Sequence, residues 1–414
     1  MTAMPKIQDL EDSTFDPILA DELMFGDHTD PYSRIEEFRA GGPVIAGDYR
    51  SMMGLPSDPF DPAKPRYTVL SHTAVETALH DPETFSNRSF EPSLGVVYGP
   101  ILTVLDPPVH TGYRRILQRA FRPEMIRAWE RDYVEPVLAE LIVGLHRSNR
   151  AELISQYTRP YPFGVIYRLI GLPHEDEEVF YRLTVAQLVS SYAMDIARDA
   201  AVKLDQYFAA LMAERRARPG TDIVSAIATA ESEGETLPDD IAISFLRQLL
   251  SAGGETGFRT LSVLLCKLLT QPGLLDELRA NRSLIPAAVE ETLRWEGPVV
   301  TTTRETTRDV VLDGVPLPAG AHLDICLGGA NRDPAKFADP ARFDLHRPRR
   351  QHFGFASGIH NCIGQQLARL EIVKGVEALL DNFPDIRLDP DAPPPIVRGT
   401  TMRIPRELHV VFDT

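Results

Sequence analysis

The sequence has few cysteines and no long apolar run, and each absence excludes a class of protein. Only three cysteines occur among 414 residues, Cys266, Cys326 and Cys362, which are too few and too scattered for a disulfide framework. No run of about 18 apolar residues is present, so we expect no transmembrane helix. Residues 1–30 lack both the basic start and the apolar centre of a signal peptide. We therefore expect a cytoplasmic protein.

Positive charge is also scarce. Lysine and arginine number 43 against 59 aspartates and glutamates, which gives a net charge of −16 and argues against nucleic acid as a partner. No internal repeat, low-complexity segment or linker-like change of composition divides the chain. We predict a single domain over residues 1–414, with a flexible start at 1–14.

Apolar residues recur at three- and four-residue spacing over long stretches, as in amphipathic helices. These stretches predict helices at 124–145, 196–216, 239–269 and 285–295. Short strand-like runs occur at 67–70, 310–312, 322–326 and 408–412. The predicted fold class is mainly α with a small β region.

The predicted helix 239–269 has two adjacent glycines, Gly253 and Gly254, near its middle. Two glycines cost a helix interior roughly 1–2 kcal/mol relative to alanine. Close packing against another helix, a break between two helices, or a helix that crosses a flat bound group would each explain them.

Cys362 lies in a glycine-punctuated loop, and residues 365–370 predict the beginning of a helix. The positive end of a helix and backbone N–H groups stabilise a thiolate, and a thiolate can bind a metal. A lone cysteine is more often a buried structural residue, and that alternative stays open on this feature alone.

Five motifs, in order, resemble the cytochrome P450 family, and the resemblance covers residues 15–414. The motifs are D-P-P-V-H-T-G-Y-R-R at 106–115, A-G-G-E-T at 252–256, E-T-L-R at 291–294, A-N-R-D-P at 330–334, and F-x-x-G-x-H-x-C-x-G at 355–364. Each is weak alone, since Glu-x-x-Arg is a routine helical ion pair, but five in order are specific. The chain is identified as a member of the bacterial soluble cytochrome P450s, which are haem-thiolate monooxygenases.

The resemblance implies a single-domain cytochrome P450 fold with haem b between a long distal helix and the proximal loop and helix of Cys362. Cys362 would be the axial thiolate, which donates electron density to the iron and favours O–O cleavage. Cationic side chains would bind the haem propionates. The implied cofactor contacts are His110, Arg114, Ala252, Gly253, Arg304, Phe355, Gly358, His360 and Gly364. The family usually has glycine where this chain has Ala356.

Glu255 and Thr256 resemble the acid–alcohol pair of members that activate O2. A carboxyl group beside a hydroxyl can relay protons from water, and members that use peroxide directly generally lack the pair. A haem-thiolate peroxygenase, a non-catalytic haem-binding sensor or carrier, and a helical protein without cofactor are the alternatives. Glu291 and Arg294 resemble the structural ion-pair motif of the family, and we predict Arg342 as its third member.

The resemblance also predicts a substrate pocket over the haem. Its predicted members are Val97, Gln248, Leu249, Ser251, Val299, Val300 and Met402. Their mixture indicates a mostly apolar pocket with a few groups that fix orientation. We expect hydroxylation of a small to medium hydrophobic molecule of the terpenoid, steroid or aromatic class, with one polar handle.

Arginines cluster in two segments that lie on the thiolate side of haem in the family. They are Arg115, Arg119, Arg122, Arg347, Arg349 and Arg350. A basic patch on an acidic protein steers an acidic partner, although solvated arginines without a partner are the alternative. We expect an acidic iron–sulfur ferredoxin, reduced by its reductase, to supply two electrons. Little sequence follows the Cys362 loop, so we expect no flavin domain.

Overall fold

A computed structural model describes residues 6–57, 61–232 and 234–413. Seventeen α-helices and fourteen short strands lie in these ranges. The helices are α1 (Pro17–Phe25), α2 (Tyr32–Arg39), α3 (Tyr49–Met52), α4 (His72–His80), α5 (Val96–Tyr98), α6 (Val109–Gln118), α7 (Pro123–Trp129), α8 (Glu135–Leu145), α9 (Pro160–Ile170), α10 (Glu177–Leu188), α11 (Met194–Ala217), α12 (Ile223–Ala228), α13 (Asp239–Thr270), α14 (Leu274–Ala280), α15 (Ile285–Trp295), α16 (Leu327–Ala330) and α17 (Gln365–Asn382). The strands are β1 (Val44–Ala46), β2 (Arg66–Val69), β3 (Phe85–Ser86), β4 (Arg150–Glu152), β5 (Glu231–Ser232), β6 (Glu235–Thr236), β7 (Thr301–Thr306), β8 (Val310–Leu312), β9 (Val315–Leu317), β10 (His322–Cys326), β11 (Arg387–Leu388), β12 (Val397–Arg398), β13 (Ile404–Pro405) and β14 (His409–Val411). The predicted class, mainly α with a small β region, is confirmed.

The largest sheet has the strand order β1-β2-β10-β7-β3. β10 runs parallel to β2 and antiparallel to β7. Because successive side chains of a strand point to opposite faces, Thr302 and Arg304 share one face of β7. This strand therefore presents both residues to the same side of the sheet.

The helix α13 runs unbroken for 32 residues through its two glycines. A Cβ atom on Gly253 would lie 2.6 Å from Ile166 Cδ1, and one on Gly254 would lie 2.3 Å from Phe163 Cε1. Both neighbours belong to α9, so the glycines let two helices pack closely. No helix in the described ranges is long and apolar enough to cross a membrane.

The predicted helix 124–145 is divided by one wide π-helical turn at 130–134, between α7 and α8. The N–H of Glu135 donates to the carbonyl of Glu130, five residues earlier. Pro136 follows and has no N–H to donate, so the regular hydrogen-bond pattern cannot continue through this point.

Part of the predicted flexible start packs against the rest of the protein. Ile7 and Leu10 are buried in the largest apolar cluster; residues 1–5 lie outside the described ranges. The sequence analysis did not predict α1. Its first turn is capped by Asp16, whose carboxylate accepts the N–H groups of Ile18 and Leu19.

The ion-pair network of α15 corrects one prediction, because its third member is Arg347 and not Arg342. Glu291 accepts two hydrogen bonds from Arg294, at 2.7 and 2.8 Å, and one from Arg347 Nε at 3.0 Å. Arg342 contributes its backbone carbonyl, which accepts from Arg294 Nη2 at 3.2 Å. Its side chain points to solvent and pairs with Asp344. Sequence proximity could not separate these two arginines.

Substitutions in this network should lower the free energy of unfolding by very different amounts. Glu291→Gln leaves two buried cations without their carboxylate, and we expect a loss of about 3–5 kcal/mol in the free energy of unfolding. Arg342→Gln removes an exposed ion pair and should cost about 0–1 kcal/mol. Denaturant midpoints measure both. An Arg342→Gln variant as unstable as Glu291→Gln would contradict the assignment.

Candidate functional site

A cavity lies between the middle of α13 and the loop that precedes α17. Cys362 lies in this loop and its side chain faces the cavity. α13 faces Cys362 with Gln248, Leu249, Ala252, Gly253 and Thr256, which lie on one side of the helix. Phe245 of α13 also lines the cavity, and other elements contribute, among others, Asn87, Phe90, Leu102, Thr103, Arg114, Thr302, Arg304, Phe355, His360 and Glu371.

The surroundings of Cys362 suit a thiolate ligand. Burial raises the pKa of the Cys362 thiol, whereas hydrogen bonds from the N–H groups of Gly364 and Gln365 and the charge of Arg114 lower it. Gly364 precedes α17, so these groups belong to a helix N-terminus, as the sequence predicted. Cys266 and Cys326 are buried elsewhere and do not line the cavity.

The two predicted glycines of this loop have different structural roles. Gly358 has φ +69°, and a Cβ there would lie 2.1 Å from the carbonyl oxygen of Leu79 in α4. Its role is therefore contact with α4. A Cβ on Gly364 would meet no atom within 4 Å. Phe355 lines the cavity, and the guanidinium of Arg369 lies 4.4 Å from its ring centroid.

Ala356 is held in the left-handed region with φ +54°. For an L-residue with a Cβ this conformation costs roughly 1–2 kcal/mol. We expect Ala356→Gly to raise the free energy of unfolding by about 0.5–1 kcal/mol, because the relieved strain exceeds the added entropy of the unfolded chain.

Thermal unfolding of the haem-loaded protein measures this gain. The matched control is Ala319→Gly, at an exposed alanine outside the left-handed region, which should lose about 0.4–1 kcal/mol. Equal losses at both positions would contradict strain at Ala356.

Four cationic or protonatable side chains lie beside the Cys362 loop, as predicted, and several of their polar atoms have no partner. Both ring nitrogens of His110 and Nε2 of His360 are buried without a hydrogen bond, and the two rings lie 4.2 Å apart. Arg304 is buried, and within the described residues its side chain donates to the carbonyl of Thr303 alone, at 2.7 Å. Arg114 donates to the carbonyl of Asn361.

Burial explains the electrostatics of these groups. It lowers the pKa of His110 to about 4, that of His360 to about 2 and that of Arg304 to about 10. Buried donors without acceptors are costly. The carboxylates of a bound group would supply the missing acceptors, so the residues present fit haem with its two propionates.

Glu255 and Thr256 are adjacent in sequence but open into different cavities. Thr256 lines the cavity of Cys362, and its hydroxyl donates to the carbonyl of Ala252 at 2.9 Å. Glu255 points into a second cavity, where Arg259 donates to it at 3.1 Å. Burial raises the pKa of Glu255 to about 7. The sequence found both residues but not their opposite directions.

Two predicted pocket residues near α5 do not reach the cavity wall. Ser251 is buried on another side of α13, and its hydroxyl lies 2.9 Å from that of Tyr98. Val97 packs in an apolar cluster with Ile101 and Ala197. Both face away from the cavity because α5 packs against that side of α13 and α11.

Three predicted pocket residues after α15 are also placed elsewhere. Val300 is fully buried in an apolar cluster with two tyrosines. Val299 forms an isolated bridge with Met402, and Met402 lines the second cavity. Thr302 reaches the wall instead, a position that strand alternation from Arg304 could have indicated.

Sequence reasoning missed several wall residues, among them Phe245, Asn87, Thr103 and Glu371. Phe245 lies three residues before Gln248, so helical spacing could have found it. Asn87 and Thr103 come from irregular segments that carry no periodic signal. Glu371 is buried in α17, and burial raises the pKa of its carboxyl group.

Comparisons with known proteins agree with this geometry. The family model described as Cytochrome P450 matches residues 172–411. The chain is 35% identical to Cytochrome P450 107B1 of Saccharopolyspora erythraea, over 76% of each chain. It is 33% identical to the vitamin D3 dihydroxylase of Streptomyces griseolus, over 84% of this chain and 87% of that protein.

The fold has close counterparts among solved structures. CYP109E1 from Bacillus megaterium, crystallised with testosterone, superposes with a TM-score of 0.81 at 29% identity, over 93% of this chain and all of that one. The protein is a haem-binding oxidoreductase with an axial cysteine thiolate, and the cysteine that faces its cavity is Cys362. The chain belongs to the cytochrome P450 family of monooxygenases.

Proposed function

We propose that the protein hydroxylates a hydrophobic molecule of steroid or terpenoid size that carries one polar handle. Haem bound at Cys362 supplies the oxidising chemistry, because the thiolate favours O–O cleavage. His110, Arg114, Arg304 and His360 would hold its propionates, and both ring nitrogens of His110 and Nε2 of His360 have no other partner in the described part of the chain. The observation that carries the proposal is the cavity wall opposite Cys362.

That wall is mostly apolar and has one polar strip. Phe90, Leu102 and Leu249 supply apolar surface. Gln248 donates from Nε2 to the hydroxyl of Thr103, and both side chains line the cavity. An oxygen of the substrate can accept from this pair and so fix its orientation. The names of the relatives that act on vitamin D3 or bind testosterone support the steroid class.

Thr256 and Glu255 are the proposed proton-handling residues of the reaction. Thr256 holds its hydroxyl at the cavity, one residue from a carboxyl group whose pKa of about 7 lets it both take up and release a proton. A peroxygenase or a haem sensor would need neither group. The acid–alcohol pair therefore favours the O2-dependent reaction over both alternatives.

A ligand panel tests the substrate class. Testosterone, a terpenoid alcohol and a small aromatic are titrated into the haem-loaded protein, and the low- to high-spin change of the absorption spectrum is followed. Androstane, which lacks the oxygens of testosterone, is the matched control and should bind about tenfold more weakly, as the loss of a hydrogen bond predicts. No spin change with any oxygenated ligand, or equal binding of androstane, would contradict the proposal.

The proposed electron donor is an acidic ferredoxin that docks beside the Cys362 loop. Arg349 and Arg350 are exposed and line a groove together with Asn361 and Gln365. The proposed docking face also includes three exposed arginines of α6 and the turn after it, namely Arg115, Arg119 and Arg122. Arg347 lines the same groove, but Glu291 and three backbone carbonyls hold its guanidinium.

We expect the rate of reduction by an acidic ferredoxin to fall as salt rises, since electrostatic steering raises association rates by about 10–10³-fold and is screened. Arg349→Glu should slow reduction at low salt. Arg150→Glu makes the same charge change on β4, outside the docking face, and should have no effect. Stopped-flow kinetics measure the reduction rate of the unchanged protein and of both variants. Equal rates for both variants across the salt range would contradict the docking face.

A further inference from the structure

A second cavity of about 240 Å³ lies on the side of α13 that carries Glu255, Phe258 and Arg259. Residues of α1, α13 and the C-terminal segment contribute to its wall, and Glu255 points into it. A cavity of this size holds several waters. Charged and apolar side chains both line it, and the charged ones give waters in the cavity polar partners.

Three charged side chains form a chain from this cavity toward the surface. Glu255 is 5% exposed and accepts from Arg259 at 3.1 Å; Arg259 is 1% exposed. The same Nη2 of Arg259 contacts Asp21 of α1, which is 26% exposed. Asp21 is the most exposed of the three side chains, so Asp21 is the member that meets bulk water.

Other charged or titratable groups also face this cavity or act on Glu255. Arg159 lies just before α9 and its charge lowers the pKa of Glu255. The remaining groups are Glu22 of α1, Glu152 of β4, Tyr167 of α9, Tyr181 of α10, Arg398 of β12 and Arg406 after β13. Arg259 and Asp21 are the two whose hydrogen bonds run from Glu255 to the surface.

We propose that this cavity is the inlet for the protons consumed in catalysis, with Asp21 as its outer acid and Arg259 as the positioning residue of Glu255. The inference rests on the proposed function, because it assigns a supply route to the acid of that reaction. One proton enters from bulk water at Asp21, crosses the cavity through water to the Glu255 carboxylate, and leaves on the Thr256 side of α13. Glu255 returns to the carboxylate after each transfer, and no electron moves in these steps.

Arg259 and Asp21 shift the pKa of Glu255 in opposite directions, and this difference provides the test. Burial raises the pKa of Glu255 to about 7; the charge of Arg259 lowers it and that of Asp21 raises it. Glu255 gives a proton only when protonated, so the share of NADH electrons that reaches product declines as pH rises through this pKa. Asp21→Asn should move that midpoint down by about one pH unit, and Arg259→Gln should move it up.

An infrared titration gives a readout that needs no turnover. The C=O band of protonated Glu255 is the band that Glu255→Gln removes from the haem-loaded resting protein. The pH at which half of this band is lost should move down in Asp21→Asn and up in Arg259→Gln. Should Arg259→Gln fail to fold, Asp21→Asn decides alone, since Asp21 lies near the surface. Asp132→Asn, an exposed carboxyl between α7 and α8 that pairs with Arg131 and does not line this cavity, is the control and should leave both midpoints in place.

Two outcomes separate this inference from the function on which it rests. Full coupling of NADH to product in Glu255→Gln would overturn the proposed role of Glu255 itself. Impaired coupling in Glu255→Gln, with midpoints unmoved or moved in the same direction by Asp21→Asn and Arg259→Gln, would overturn the inlet alone.

Discussion

A Cys362→Ser variant will lack the red-shifted Soret band that reduced, CO-bound members of the cytochrome P450 family show. A serine hydroxyl does not ionise as a thiol does, so the hydrogen bonds from Gly364 and Gln365 no longer support an anionic sulfur. Without thiolate donation the bound haem loses the property that favours O–O cleavage. We expect hydroxylation to fall below detection.

The fold should survive this substitution. The Cys362 side chain opens into the cavity and packs in none of the apolar clusters, so far-UV circular dichroism should match that of the unchanged protein. Cys266→Ser is the matched control, because this buried thiol lies away from the cavity; it should keep the spectrum and lose stability. A red-shifted band that persists in Cys362→Ser would exclude Cys362 as the ligand.

Thr256→Ala should separate electron consumption from product formation. The hydroxyl that Thr256 holds at the cavity would be lost, and protons would no longer be placed productively. We expect product per NADH to fall by about 10²-fold, the lower end of the range for a positioned acid–base group. NADH would still be consumed, and O2 would leave as hydrogen peroxide with the same two electrons and two protons.

Parallel assays of NADH, product and peroxide measure this partition. Thr256→Ser keeps a hydroxyl and should restore most of the coupling. Thr260→Ala, one turn further along α13, removes a buried hydroxyl that donates to the carbonyl of Thr256 outside the cavity wall, and should leave coupling unchanged. Tight coupling in Thr256→Ala would show that this hydroxyl is dispensable.

Much of the site was predictable because its determinants are local in the chain. The Cys362 loop and the start of α17 are consecutive residues, so one stretch of sequence specifies both the thiol and the N–H groups that face it. The resemblance predicted Gln248, Leu249 and Thr256 at the cavity, and all three line it because the period of a helix puts them on one face.

Other assignments failed where partners are distant in the chain. Arg342 and Arg347 are both near enough in sequence to reach Glu291, and only the path of the backbone after Phe343 directs Arg347 inward. Met402 was expected in the haem cavity and lines the second one. Nothing in the local sequence reports which of two cavities a turn will meet.

The sequence by itself determined the family and its axial cysteine thiolate, and it predicted the acid–alcohol pair and the side chains that would bind the propionates. The tertiary structure decided the direction of each side chain. Close packing of Gly253 and Gly254 against α9 sets the rotation of α13 about its axis. That rotation turns Thr256 toward Cys362 and Glu255 toward Asp21, which lies 234 residues earlier in the chain. Contacts at such separation depend on packing, and local sequence patterns do not encode them.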